Sequence, residues 1–108
     1  MADNQDILNI LRKLGKNPNQ SQRKLSKELK LSLGKISYCL DELRKKGLIK
    51  IKNFKKNPSK INYIYLLTPA GIEHKLQLTV SFMKKKLKEY DDLKREFEKE
   101  NKDDLDRS

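Results

Sequence analysis

Residues 32–49 read Ser32-Leu33-Gly34-Lys35-Ile36-Ser37-Tyr38-Cys39-Leu40-Asp41-Glu42-Leu43-Arg44-Lys45-Lys46-Gly47-Leu48-Ile49. Ile36, Leu40 and Leu43, with Cys39 beside them, recur at helical spacing and predict one buried side. Ser32 is suited to cap the helix start, and Leu31 before it can pack on Ile36 as a hydrophobic staple. Gly47 ends the helix. With a rotation of about 100° per residue, Gly34, Ser37, Tyr38, Asp41 and Lys45 fall on the opposite, outer side. Lys35 and Glu42 lie on one flank of that side and Arg44 on the other.

Upstream, Ile7, Leu8, Ile10, Leu11 and Leu14 predict a short amphipathic helix over 6–14, stopped by Gly15 and the Lys16-Asn17-Pro18-Asn19 stretch. Ser21 is placed to cap a second helix of about ten residues, with Leu25 and Leu29 one turn apart on its inner face. Downstream of Gly47 the apolar period shortens to 2. Ile49 and Ile51, then Ile61, Tyr63 and Tyr65, predict two half-buried strands joined at Asn57-Pro58-Ser59, with both tyrosines in the core. Thr68-Pro69 then opens a long helix, with Pro69 in the first helical position and Leu67 stapled to Ile72. A helix over 69–100 would be roughly 48 Å long, too long to pack fully on so small a body. The remaining residues, 101–108, read as a polar, flexible tail. Three segments follow: a body over 1–68, a long helix over 69–100 and the tail.

The charge is as unevenly placed as the apolar residues. The 108 residues carry 26 Lys and Arg against 15 Asp and Glu, a formal net charge of +11. Residues 21–60 alone hold thirteen cations and three carboxylates, whereas residues 69–108 hold ten of each sign. A polyanion is the partner such a block suits. No apolar run is long enough to cross a membrane, and no secretory leader is visible, so a cytoplasmic protein is expected. One cysteine and one histidine, Cys39 and His74, leave no structural zinc site, no disulfide and no expected cofactor. Cys39 reads as a small buried apolar residue and His74 as surface. With no nucleophile–base pair and no glycine-rich phosphate loop, catalysis is not expected.

The expected fold is mostly α with a small β-hairpin. Three helices and a hairpin in this order are the order of a winged helix-turn-helix, followed here by a long helix. In such a domain the third helix enters the major groove of DNA and the hairpin, or wing, reaches the backbone or minor groove. The recognition helix would span 32–46 and the wing 53–61. Contacts are expected from Ser32, Gly34, Lys35, Ser37, Tyr38 and Lys45 on the recognition helix. Ser21, Arg23, Lys24 and Lys27 on the second helix, with Lys55, Lys56 and Lys60 on the wing, would flank the groove. Lys35 and Lys45 are placed to neutralise phosphate. Asp41, repelled by phosphate, either reads a cytosine amino group or pairs with Lys45; the pair within the helix is favoured. Each lysine taken singly also reads as ordinary solvated surface.

Ser21–Leu31, the run from Leu33 to Asn53 and the junction Leu66-Leu67-Thr68-Pro69-Ala70-Gly71 resemble MarR-type winged helix-turn-helix transcriptional regulators. They are most similar to a small subgroup associated with bacterial exopolysaccharide biosynthesis. The resemblance spans about residues 5–90 and implies sequence-specific, dimeric DNA binding that regulates exopolysaccharide genes. The chain departs from the family's pattern in having one long C-terminal helix and no additional N-terminal helix, so no small-molecule effector is expected.

On the long helix Leu76, Val80, Met83, Leu87, Tyr90 and Phe97 form a heptad seam, broken at Lys94, that predicts a homodimer. For Leu76, Val80 and Met83, packing on the chain's own first helix is the competing reading. Lys86 and Asp91 would pair in a parallel coil, and Lys84 and Glu98 in an antiparallel one centred near Asp91; the family resemblance implies the antiparallel form. A second reading makes the chain a winged-helix protein–protein interaction module with an incidental basic face. RNA binding and membrane attachment through Phe82-Met83 and Lys84-Lys85-Lys86 have less support, since the heptad already uses Met83.

Overall fold

The computed structural model of the chain describes residues 3–57 and 60–106, without the side chains of residues 54–57, 60–62 and 103–106. The elements run α1 (Asn4–Lys16), α2 (Gln22–Leu29), α3 (Leu33–Lys45), β1 (Ile49–Asn57), β2 (Lys60–Leu67) and α4 (Pro69–Asp106). They fall into two compact units, Met1–Leu78 and Thr79–Ser108.

In the first unit the three short helices start where the sequence supplies caps. Asp3 accepts from the Asp6 N–H, Ser21 from the Lys24 N–H and Ser32 from the Lys35 N–H, each satisfying an otherwise unpaired amide. α1 runs two residues further at its N-terminus than the apolar pattern predicts and continues through Gly15 and Lys16. The buried Gln20 then closes it, its Nε2 donating to the carbonyls of Lys13 at 2.7 Å and Asn17 at 3.0 Å. α2 is eight residues long and ends on Lys30, whose left-handed φ of 57° turns the chain into α3. Ser26 holds that turn, its hydroxyl donating to the Leu31 carbonyl while its own carbonyl accepts from the Leu31 N–H. The core joins Leu8, Ile10, Leu11 and Leu14 of α1 to Leu25, Ile36, Cys39, Leu40 and Leu43, with Ile49, Tyr65 and Leu78 completing it. Each such side chain contributes about 1.5–3 kcal/mol on leaving water.

β1 and β2 pair antiparallel with Ile49 opposite Leu67, Ile51 opposite Tyr65 and Asn53 opposite Tyr63; the ladder shifts between Lys55 and Asn57. The hairpin is longer than its alternation suggested. The expected turn residues Pro58 and Ser59 lie outside the described residues. Tyr65 is buried, and its N–H donates to the Pro18 carbonyl, fixing β2 to the segment between α1 and α2. Tyr63 corrects the expectation of a core residue: it is 50% exposed. Alternation puts both rings on one face of the sheet, but that face meets the core at Ile49 and Tyr65 and not as far out as Tyr63.

The wing re-enters the body through one residue. Thr68 donates its N–H to the Leu48 carbonyl and its hydroxyl to the Gly47 carbonyl at 2.6 Å, and its Oγ1 accepts from the Gly71 N–H. The same side chain thus caps α4 and ties it to the end of α3. Gly71 faces Leu48 so closely that a Cβ there would lie 1.9 Å from the Leu48 carbonyl oxygen.

α4 itself continues to Asp106, so residues 101–106 are helical where a tail was expected. Within the first unit Gly71 and Leu78 are buried and Lys75 half-buried, while Ile72 and Leu76 are exposed. Leu76 is therefore not covered by α1. In the second unit Val80, Met83, Leu87, Tyr90, Leu93 and Phe97 are all 42–67% exposed.

Candidate nucleic-acid interface

α3 presents one face to the core and the other to solvent. Ile36, Cys39, Leu40 and Leu43 are buried, whereas Gly34, Ser37, Tyr38 and Lys45 are exposed. Tyr38 is 49% exposed in mid-helix, an aromatic ring offered to solvent. Gly34 has no heavy atom within 4 Å of where a Cβ would stand, which leaves room for another surface to approach the backbone. The hydroxyl of Ser32 is engaged as the α3 cap and that of Ser21 as the α2 cap.

The cations on this face are already held by acids. Lys35 Nζ lies 2.9 Å from Asp6 of α1, and the hydrogen bond and charge of that carboxylate raise the lysine's pKa above its ordinary value. Lys45 lies 3.1 Å from Asp41, as the i, i+4 spacing predicts, and its pKa is also raised, chiefly by its hydrogen bond to Asp41. Arg44 adds a second contact to Asp41 at 2.8 Å. Hydrogen bonds from Arg44 and then Lys45 hold the Asp41 carboxyl below the usual range, so it stays ionised well into acid. Asp6 is the residue that sequence reading missed. Nothing local marks it except its place in the first turn of α1, where it looks like an ordinary helix-dipole acid.

On α2, Arg23, Lys24 and Lys27 are exposed. Glu28 draws Lys13 to 3.1 Å and Lys24 to 4.0 Å, tying α1 to α2 through one carboxylate. The wing positions Lys55, Lys56 and Lys60 stand in the distal part of the hairpin, and their side chains lie outside the described residues. At the flank of α3 a pocket of about 300 Å³ is bordered by Asn4, Ile7, Tyr38, Cys39 and His74. Burial raises the Cys39 thiol's pKa above its ordinary value. His74 is half-buried there rather than on the open surface. Among the described residues no three His, Cys, Asp or Glu side chains converge to hold a metal, and no helix is long and apolar enough to cross a membrane.

Residues 4–50 match the family described as winged helix-turn-helix DNA-binding. The fold is a winged helix-turn-helix. Solved structures share it. A MarR family transcription regulator superposes with a TM-score of 0.62 at 25% identity, covering 74% of this chain and 52% of that one. The PcaV transcriptional regulator from Streptomyces coelicolor, in complex with its natural ligand, gives 0.63 at 19% identity over 72% of this chain and 54% of its own. The zinc-responsive MarR family member ZitR from Lactococcus lactis gives 0.58 at 22% identity over 86% and 60%. The winged helix and its long helix thus span little more than half the length of these proteins. No curated protein sequence matches the chain.

Proposed function

We propose that the protein is a MarR-type transcriptional regulator that binds duplex DNA as a homodimer in the cytoplasm. α3 enters the major groove with Gly34, Lys35, Ser37, Tyr38 and Lys45 toward the bases and phosphates. Ser32 at its start and Ser21, Arg23, Lys24 and Lys27 around α2 meet the flanking backbone, and the wing over 53–61 brings Lys55, Lys56 and Lys60 to the backbone or minor groove. The observation that carries this reading is the division of α3: Ile36, Cys39, Leu40 and Leu43 are consumed by the core, and an aromatic, a hydroxyl and an open glycine are left on the other side. The run from Leu33 to Asn53 and the Thr68-Pro69-Ala70-Gly71 junction support exopolysaccharide biosynthesis genes as the targets. The seam of α4, from Leu76 to Phe97, supplies the dimer contact.

Selection of bound duplexes from a random pool, followed by titration over a range of salt, tests it. Lys35→Ala and Lys45→Ala should each weaken binding and flatten the log–log salt dependence by about 0.9 per lost phosphate contact. Tyr38→Ala should reduce preference for the selected site over random duplex by roughly tenfold or more. If these changes leave the titration unaltered, α3 is not the reading helix. A monomer with no affinity for any duplex would favour an interaction module instead.

A further inference from the structure

The apolar seam of α4 is a stripe separate from the one that fixes the helix to the first unit. Gly71, Lys75 and Leu78 mark the attached side, and the seam lies about 130° around the helix from it at 100° per residue. Beyond Leu78 the attached stripe continues as Lys85, Asp92 and Lys99, which are polar, so the seam is not an extension of the core face. Val80, Leu87 and Lys94 occupy its a positions, and Leu76, Met83, Tyr90 and Phe97 its d positions.

The charges of the helix are segregated. From Pro69 to Lys88 there are five lysines and one glutamate; from Glu89 to Asp106 there are four cations and nine carboxylates. The first half is +4 and the second −5, with the boundary between Lys88 and Glu89. Helices packed about 8–10 Å apart place such charges within one Debye length at physiological salt, so the halves act on one another.

We infer that α4 pairs antiparallel with α4 of a second copy about a two-fold axis between Lys88 and Glu89. This rests on the dimeric reading above and fixes its direction and register. About that axis each basic half lies on the partner's acidic half. The layers fall a on d: Val80 on the partner's Phe97, Leu87 on the partner's Tyr90, and Met83 on the partner's Lys94, each occurring twice. The aliphatic stem of Lys94 covers Met83 while its ammonium reaches water. At the flanking e positions Lys84 meets the partner's Asp91, again twice. A parallel pair instead sets basic half on basic half and Lys94 against the partner's Lys94 in one layer, which leaves two ammonium groups facing each other. Moving the axis to near Asp91, the arrangement that pairs Lys84 with Glu98, puts Val80 on the partner's Asp104 and Met83 on the partner's Asn101. Only the axis at 88/89 brings the charge boundary and the apolar layers into the same register.

The test is a distance. Asn101→Cys in a Cys39→Ala background, spin-labelled in the full chain, should give a dimer by light scattering and a label separation of about 38 Å. A separation of about 10 Å overturns the antiparallel direction. A shift of about 10 Å from 38 Å, equal to one heptad of slip, overturns the register. A monomeric mass overturns the dimeric reading itself. Charge exchange gives an independent measure if the labelled background is poorly folded. Lys84→Glu should weaken dimerisation about tenfold, and adding Asp91→Lys should restore it. Rescue of Asp91→Lys by Lys86→Glu rather than by Lys84→Glu would establish the parallel form.

Discussion

Asp6 decides how Lys35 meets DNA. Its carboxylate holds the ammonium at 2.9 Å against the start of the recognition helix, so a phosphate must compete with a partner already in place. Asp6→Asn should therefore add one unopposed cation to the interface. Affinity should rise with the log–log salt dependence little changed, because Lys35 then makes the same phosphate contact without a competing carboxylate. Titration of the variant beside the parent over a range of salt checks this, and an affinity no higher than the parent's would mean that Asp6 does not compete with phosphate for Lys35. Legibility at this scale depends on sequence separation. The Asp41–Lys45 pair could be read from the sequence because i, i+4 spacing on a helix fixes proximity. The Asp6–Lys35 pair could not, because the packing of α1 on α3 creates it.

The junction of β2 with α4 shows what an element needs beyond its own propensity. Thr68 and Pro69 announce a helix start locally, and the structure adds the bonds from Thr68 to Gly47 and Leu48 that close the wing onto α3. Gly71 is required by close approach, because any Cβ there meets the backbone of Leu48. Gly71→Ala should push α4 away from the end of α3 and cost about 1–3 kcal/mol or more, read as a lower melting temperature. A variant that melts with the parent would mean that α4 can move aside freely. The helix caps at Ser21 and Ser32 were legible because an N-cap is a contact within four residues. The exposure of Tyr63 was not: period 2 assigns a residue to a face of the hairpin, and only the body decides how far along that face contact extends.

For the whole molecule the decisive property is that apolar material is divided between two uses. The first unit spends most of its leucines and isoleucines on a small core, and α4 carries a second apolar stripe that is exposed from Val80 to Phe97. Placing a carboxylate in that stripe separates the two uses. Leu87→Glu should give a monomer by light scattering, because the charge would be desolvated against the partner's Tyr90. Its affinity for a two-half-site duplex should fall about a hundredfold or more through lost bivalency, with single half-site binding retained. A variant that stays dimeric would place the interface elsewhere. The sequence by itself determined the order of the elements, the caps at Ser21, Ser32 and Thr68, the buried side of α3, the heptad spacing of apolar residues on α4 and the concentration of cations over residues 21–60. All of these depend on spacings of a few residues or on composition along the chain. Only the tertiary structure decided that Asp6 restrains Lys35, that Gly71 must lack a Cβ and that Tyr63 stands clear of the core. Each of those depends on which distant surfaces meet, and helical or strand periodicity carries no record of that.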